Sequence, residues 1–438
     1  MNGAFTIMLG DNPKTGTRED MKKTLWTAGA VIATASAASA AGIERASNDY
    51  GILFQDGHQA SVSATFVNPR VSGDYVGGGS TGNMSKNYVA TSASYKGDFG
   101  ERLSFGLFLN DAYGADAEYT AGAYTGLAAE WDSKQIAAIL RYGVTDRFSV
   151  YGGFRYVQSD ANIVIPGQFF APRVQAGADE AQTAADTLAG LGAADPLHPL
   201  HTQYLTAVGT AAQLNGVLAA YGGGAGAAPN ILDYTAKGDK TGDWGYVVGA
   251  AYEKQEIALR VALTYESAIT HTFDTREALP GLGIGADTKT EVEMPQSLTL
   301  DFQSGVAKDT LVFGSIKWTE WSKWEVRPPE YSDLTGSEIT GFDNDTITYR
   351  LGVGRKFTDY TSGFAQVRYE KSNGGVASRL APTDGMFAFG VGGQYTKDNI
   401  KIRGGMEYVK LGDAEDASGT KFEGNSAFGV GVSLSMSF

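Results

Sequence analysis

Cysteine is absent from the 438 residues, which excludes thiol chemistry, and histidine is nearly so, with only His58, His198, His201 and His271. Basic residues are in deficit: the formal net charge of -14 argues against nucleic acid, which is bound through basic surfaces. Long apolar runs are missing too. No stretch reaches the ~20 apolar residues that a spanning helix needs, and the mean hydropathy is only -0.18. A helical membrane protein is thereby excluded; a β-barrel is not, because only alternate residues of its strands are apolar. There is no phosphate loop or nucleotide fingerprint, and no cofactor is expected.

What is present is glycine (58 residues) together with Tyr (22) and Phe (21), which far outnumber Trp (6). The chain ends on a strand of two unlike faces. Phe428, Val430, Val432, Leu434, Met436 and Phe438 share one side, and Gly429, Gly431, Ser433, Ser435 and Ser437 the other. Side chains alternate between the faces of a strand, so one face is apolar and the other small and polar. This is the pattern of a transmembrane barrel strand, greasy toward lipid and wet toward a lumen.

The pattern recurs upstream at hairpin spacing, between Gly, Asp and Asn clusters. Val62, Ala64 and Phe66 share a face within His58 to Arg70; so do Leu103, Phe105, Leu107 and Leu109, and Phe148, Val150, Phe154 and Tyr156. Trp244 to Tyr252 and Ile257 to Tyr265 repeat it, and later segments centre on Leu300, Ile316, Leu351, Phe364, Phe389, Ile402 and Val430. The expected fold class is all-β, an antiparallel transmembrane barrel of about fourteen strands. Arg155, Arg260 and Arg350 should face the lumen, since a cation facing lipid at mid-bilayer costs ~2–4 kcal/mol. The stretch Lys317 to Arg327 reads as one strand with Lys317, Lys323, Glu325 and Arg327 on its inner face. Trp318 and Trp324 would then sit on the outer face, in an interfacial girdle.

The N-terminus supplies the compartment. Met21 to Ala40 has a basic start (Lys22, Lys23), an apolar core (Leu25 to Ala33) and an Ala38-Ser39-Ala40 cleavage site, as in a secretory signal peptide. The expected organisation is an upstream extension and signal peptide over 1–40, a short plug over 41–57 and the barrel over 58–438. Two connections break the hairpin rhythm. Asp160 to Thr241 is far beyond ordinary loop length, with helical composition over Asp179–Leu191 and Thr202–Tyr221. Tyr204, Val208, Leu214, Val217, Leu218 and Tyr221 form an apolar stripe there, which either packs the loop on itself or offers an apolar surface above the mouth. The Gly222–Gly226 tract follows as a flexible exit. The second connection runs from Thr275 to Thr288.

Catalytic and metal chemistry is thin. His198 and His201 have a helical ligand spacing but Pro199 between them, and Asp343-Asn344-Asp345 lacks the rest of a calcium loop. His271, near Thr270 and Asp274, is the one histidine that a lipid hydrolase could use. A strand-end polar cluster explains it more simply, and the protein is not expected to be an enzyme.

Several stretches resemble a known family. Ser63 to Gly73 is similar to its first barrel strand, Asp111-Ala112-Tyr113-Gly114 to the turn after its third, and Ala262 to Asp274 to a later strand. Glu293-Met294-Pro295 resembles a strand start, and Trp318-Thr319-Glu320-Trp321-Ser322 its paired-Trp strand. The family is that of the long-chain fatty acid transporters of Gram-negative outer membranes (the FadL/TodX type), the chain resembling its short alphaproteobacterial relatives. The resemblance implies a fourteen-stranded barrel blocked by an N-terminal hatch. Outer loops would capture a hydrophobic ligand, an inner pocket would hold it, and release would be sideways into the membrane. It places a capture loop at Asp160 to Thr241, with Phe169 and Phe170 joining the stripe residues, and a partner loop at Thr275 to Thr288. Lumenal ligand contacts fall to Arg327, Lys317, Arg155 and Trp321, and plug contacts to Ile43, Ile52, Leu53 and Phe54. The hatch is much shorter than the family's, and Asn68-Pro69-Arg70 lies within the first strand rather than ending a hatch. Long-chain fatty acids are the expected ligand; outer-membrane lipid, lipopolysaccharide and the barrel-assembly machinery are the other expected partners. The alternatives are a diffusion porin for polar solutes and a non-transporting adhesion or structural barrel.

Overall fold

The computed structural model describes residues 43–223 and 226–438. The signal-peptide segment and the centre of the Gly-rich tract, Gly224 and Ala225, lie outside the described residues. Seventeen hydrogen-bonded segments form one sheet, and three pairs of them are halves of an interrupted strand, leaving fourteen strands. The first five are β1 (Gln59–Arg70), β2 (Tyr88–Phe99), β3 (Leu103–Asn110, resuming at Gly114–Glu118), β4 (Ala128–Gly143) and β5 (Phe148–Ile165). Next come β6 (Tyr234–Lys254), β7 (Leu259–Glu266, then Ile269–Leu279), β8 (Ile284–Met294, then Ser297–Ala307) and β9 (Thr310–Thr319). The last are β10 (Thr346–Lys356), β11 (Thr361–Glu370), β12 (Met386–Lys397), β13 (Ile400–Leu411) and β14 (Ser426–Ser437). Every neighbouring pair is antiparallel, and β14 closes on β1 from Gln59↔Ser437 to Arg70↔Ser426.

At one end the turns span two to four residues; at the other, all connections but one are longer, up to the 68 residues between Ile165 and Tyr234. Short periplasmic turns and long outer loops orient the barrel. Phe428, Val430, Val432, Leu434 and Met436 are each 40–56 % exposed on the outside of β14, as lipid-facing residues must be in an isolated chain. Aromatic contacts mark the membrane margins: Tyr95–Phe438 at the periplasmic side, Tyr156–Trp244 and Tyr246–Tyr265 at the outer side.

Above the outer margin the apolar face turns inward. On the upper half of β7, Thr270, Thr272, Asp274 and Arg276 face out while Ile269 and Phe273 are buried. Inward-facing Trp131, Phe273, Trp321 and Trp324 belong to one apolar ceiling, and a second, smaller cluster forms a floor near the periplasmic end. The lumen lies between the two clusters.

Three expectations need correction. Strand β9 stops at Thr319, and Trp321–Lys323 forms a 3-10 turn, so no strand runs from Lys317 to Arg327. Trp324 is consequently buried in the ceiling rather than standing in the girdle. The break expected over Thr275 to Thr288 is strand on both sides of a turn at Pro280–Leu282. The long loop is also shorter than Asp160 to Thr241, because β5 and β6 continue beyond the membrane with polar outer faces. It carries helices α1 (Ala171–Gly190) and α2 (His201–Tyr221), with Pro172 in the first turn of α1, where its missing N–H costs nothing. α2 contains no charged residue, and among its residues only Ala211 is buried. A short α3 (Pro329–Thr335) lies in the β9–β10 loop.

Candidate functional site: lumen, plug and a broken wall

The chain preceding β1 runs inside the barrel. Its 3-10 turn, Tyr50–Phe54, is capped by the Asp49 carboxylate, which accepts from the Gly51 N–H at 2.9 Å. Ile52, Leu53 and Phe54 are buried against Phe108, Ile139, Tyr151 and Val247 to make the floor. Burial of each such side chain is worth about 1.5–3 kcal/mol. The guanidinium groups of Arg141 and Arg260 lie 4.8 and 4.9 Å from the Phe54 ring centroid. Below, Lys96 Nζ donates to the carbonyls of Gln55 (2.7 Å) and Gly57 (3.0 Å) and pairs with Asp98. The short N-terminal segment is thus packed and bonded to the wall near the periplasmic end.

Higher in the lumen, the same segment joins the wall. Strand β3 is interrupted over Asp111–Tyr113, and its inward parity shifts there from even residues (Phe108, Asn110) to odd ones (Ala117). Strand β2 keeps even residues inward. Just above the interruption, facing residues therefore point to opposite faces and the pleated ladder lapses, until the chain leading into β2 meets β3 again at Ser85↔Ala117, with Glu118 N donating to Met84 O at 2.8 Å. The β2–β3 ladder ends at Ser92↔Asn110. Into this break comes the plug backbone: Arg45 N donates to Ala112 O (2.9 Å) and Gly114 N to Ile43 O (2.7 Å). Arg45 crosses it, pairing with Asp116 and, at 3.0 Å, with Asp132, its guanidinium 4.7 Å from the Tyr88 ring centroid. A Cβ on Gly114 would stand 2.2 Å from Arg45 Nε, so any side chain there would have to displace Arg45.

A cavity of about 180 Å³ lies beside the plug, lined among others by Glu44, Tyr50, Arg260, Asp301, Lys317 and Arg350. Lys317 Nζ donates to Glu44 Oε2 at 2.7 Å, and Arg350 lies 3.5 Å from Asp301 with its Nε buried and unpartnered. Arg155, buried, donates to Gln135 and to the Ser267 carbonyl and lies 3.7 Å from Glu266. Of the four lumenal candidates, only Lys317 lines this cavity. Trp321 sits in the ceiling against Tyr113, Trp324 and Phe342. Arg327 is not lumenal: with β9 ended, it lies in the outer loop between Glu325 and Glu338.

The capture-loop residues are divided among several roles. Phe170 is buried against Tyr234 and Tyr331, and Phe169 packs near Tyr124. Leu214 meets α1 at Gly177, Val217 meets the β7–β8 turn at Gly281, and Tyr221 meets Gly167, so these three brace the hairpin. Leu218 and Tyr204 are half-buried, the latter beside His201, while Val208 is exposed together with Leu205.

Loop contacts link the outer loops to one another. Tyr124 donates to Asp416, whose carboxylate also accepts from Arg379 at 3.0 Å and from Ser418. Burial alone would raise the Asp416 pKa; hydrogen bonds from Tyr124 and Ser418, aided by Arg379, outweigh it and hold the carboxyl below its ordinary range.

His271 has partners that reading along the sequence missed. It bonds Ser159 Oγ at 3.0 Å through Nε2 and Asp243 Oδ2 at 2.8 Å through Nδ1, not Thr270 or Asp274. The Ser–His–Asp order is that of a hydrolase. Ser159 and His271 are nevertheless wholly buried, the serine also bonds Ser133 Oγ, and the lumenal cavity does not reach them. Arg45 was missed as well, because one cation in a short segment carries no pattern. His201 Nδ1 contacts its own turn at Ala193 O, and no group of three or more metal-ligating side chains occurs among the described residues.

A solved Pseudomonas aeruginosa FadL homologue matches 93 % of this chain and 95 % of its own, at 14 % identity and a TM-score of 0.60. The P. putida toluene transporter TodX matches over 90 % and 93 %, at 16 % identity and 0.57. The Ralstonia pickettii toluene transporter TbuX matches over 88 % and 90 %, at 14 % identity and 0.53. At such identities the likeness shows the fold alone. No curated protein matches the sequence. The family model described as outer membrane protein transport protein (OMPP1/FadL/TodX) matches residues 24–418. The chain therefore belongs to the FadL/TodX family of transporters for hydrophobic compounds in the outer membrane of Gram-negative bacteria.

Proposed function

We propose that this protein takes up long-chain fatty acids, catching them on the outer hairpin, holding them in the lumen and releasing them sideways between β2 and β3. The observation that supports this reading is the pairing of an apolar floor with an interrupted wall. Ile52, Leu53 and Phe54 stand across the axial route, while the middle of the β2–β3 break is bridged by the plug segment and Arg45, with Thr91–Asp111 contacts below it and the Ser85↔Ala117 bridge above. An alkyl chain gains ~0.8 kcal/mol per CH₂ on leaving water, so capture is easy and release needs an apolar exit. The break opens beside Val89 and Leu109, which are exposed on the lipid side.

Glu44 and Arg45 are adjacent in the plug. Glu44 holds Lys317 in the lumen and Arg45 holds the wall. A ligand carboxylate that displaces Glu44 from Lys317 would loosen the same short segment and withdraw Arg45 from the break. Lys317→Met should therefore lower oleate uptake by cells several-fold while leaving an uncharged hydrocarbon unaffected; equal oleate uptake would sink the carboxylate step. A second reading, an aromatic hydrocarbon as cargo, is favoured by the pairing of Lys317 and Arg155 with acids already in place. Under either reading, deletion of Val174 to Ala228 should abolish capture.

A further inference from the structure

The wall has another break. The β6–β7 ladder runs from Lys254↔Leu259 to Val247↔Glu266, stops, and resumes at Gly238↔Thr275. Eight residues of each strand intervene, 239–246 and 267–274, so no residue is gained or lost between the two paired stretches. The cause is again parity. Strand β7 turns its inward side from even residues (Ala262, Thr264) to odd ones (Ile269, His271) at 267–268. Strand β6 makes its own change higher up, where two of its residues, 239 and 240, oppose one of β5. Between these two heights, facing residues point to opposite sides of the wall, and pleated pairing is impossible.

Side chains close the gap. From β7, His271 reaches Asp243 on β6 and Ser159 on β5. Ile269 and Phe273 lie against β6, within 2.7 and 3.1 Å of where Cβ atoms on Gly245 and Gly238 would be. Below, Ser267 N donates to Tyr246 O and Tyr246 N to Ser267 Oγ, each at 3.0 Å, forming a sill. The outer rim is aromatic: Trp244 and Tyr246 are 69 % and 47 % exposed and pair with Tyr156 and Tyr265. That places the gap at the outer membrane margin. Its inner side opens on Val157, Trp131 and Phe273 of the apolar ceiling. Apolar surface thus faces the gap from both sides, with His271 linking β7 to Asp243 and Ser159 between them and Arg155 donating to the Ser267 carbonyl at the sill.

We propose that the β6–β7 break is a second lateral opening, through which an alkyl chain or comparable apolar ligand exchanges between the barrel interior and the outer leaflet, with His271 as its latch. A ladder of backbone hydrogen bonds would have to unzip to open the wall; here only side-chain rotations are required, and those are fast. The identity of what passes rests on the transport reading. The opening itself does not.

Two measurements keep these apart. Because the chain has no cysteine, Ile269→Cys is a sole reporter, with Ala268→Cys as the substitute if the first does not assemble. In lipid vesicles, labelling by a membrane-dissolved pyrene maleimide should accelerate about tenfold or more when Asp243→Ala removes the latch's charged partner, the change expected for one lost bond to a charged group. An unchanged rate in a barrel that still shows its folded gel mobility overturns the opening. The second measurement joins Asp243→Cys with His271→Cys and compares oleate uptake by cells. The reduced pair should exceed the oxidised pair; equal uptake overturns passage at this break. If even the unaltered protein takes up no oleate, the transport reading fails, and the labelling result still decides the opening.

Discussion

The two breaks share a cause and differ in how they are stopped. At β2–β3 the stopper is a piece of main chain, with Gly114 N and Arg45 N bonded across it and Arg45 paired to Asp116 and Asp132. At β6–β7, above the Ser267–Tyr246 sill, it is the side chains of His271, Ile269 and Phe273. Opening the first requires the N-terminal segment to move, so it is coupled to whatever occupies the lumen beside Glu44. Opening the second requires a local change at His271, and its sill at Ser267 touches the cavity through Arg155 and Glu266 rather than through the plug backbone. A strand that changes parity without its neighbour leaves a hole, and what fills the hole sets how it can be controlled.

The largest test of this contrast removes the main-chain stopper. Deleting residues 43–57 should turn a barrel with little conductance in planar bilayers into one with large steady currents, because floor and first break open together. If currents do not change, the plug is not the seal. Gly114→Leu should come next. Its side chain must displace Arg45, cutting the folded barrel's stability by about 1–3 kcal/mol in urea titrations. It should leave pyrene labelling at Ile269→Cys unaltered, whereas labelling that responds would mean that the two breaks are one system.

A smaller effect is expected at the mouth. The folded pKa of Asp416 is depressed, so its carboxylate contributes stability in full above the ordinary carboxylate range and loses it as pH falls through the lowered value. Acidification below about pH 4 should therefore loosen the loops around Tyr124, seen as faster protease cleavage there, and Asp416→Asn should remove that pH dependence. The smallest change in stability belongs to Val208→Asp on the exposed face of α2, within ~0.5 kcal/mol. Oleate capture should still fall several-fold if that face makes the first contact, and unchanged capture would assign the stripe to packing alone.

The sequence was legible wherever strands cross lipid. The alternation from Phe428 to Phe438 follows directly from a greasy outside and a small lumenal inside, and the same rule places Arg155, Arg260 and Arg350 inward. It misled where strands leave the membrane. Thr270, Thr272, Asp274 and Arg276 face out and Ile269 and Phe273 face in, so a reading keyed to apolar outer faces saw a loop at Thr275 to Thr288. Trp318 and Trp324 share sequence parity, yet the turn at Trp321–Lys323 separates them, and with them Arg327 left the lumen. Neither break could be read from one strand, because each depends on a mismatch between two. The link of His271 to Ser159 and Asp243 spans 112 and 28 residues of chain and appears only on folding.

Under the proposed function, hydrophobic cargo leaves through the wall, past the N-terminal segment. Ala46 N lies 3.3 Å from Ala112 O, so Ala46→Cys with Ala112→Cys can fasten that segment to β3 in a chain with no other thiol. Oleate uptake by cells should fall close to that of cells lacking the protein when the pair is oxidised, and recover on reduction. Uptake that is the same in both states, with the disulfide shown to have formed, would contradict the account.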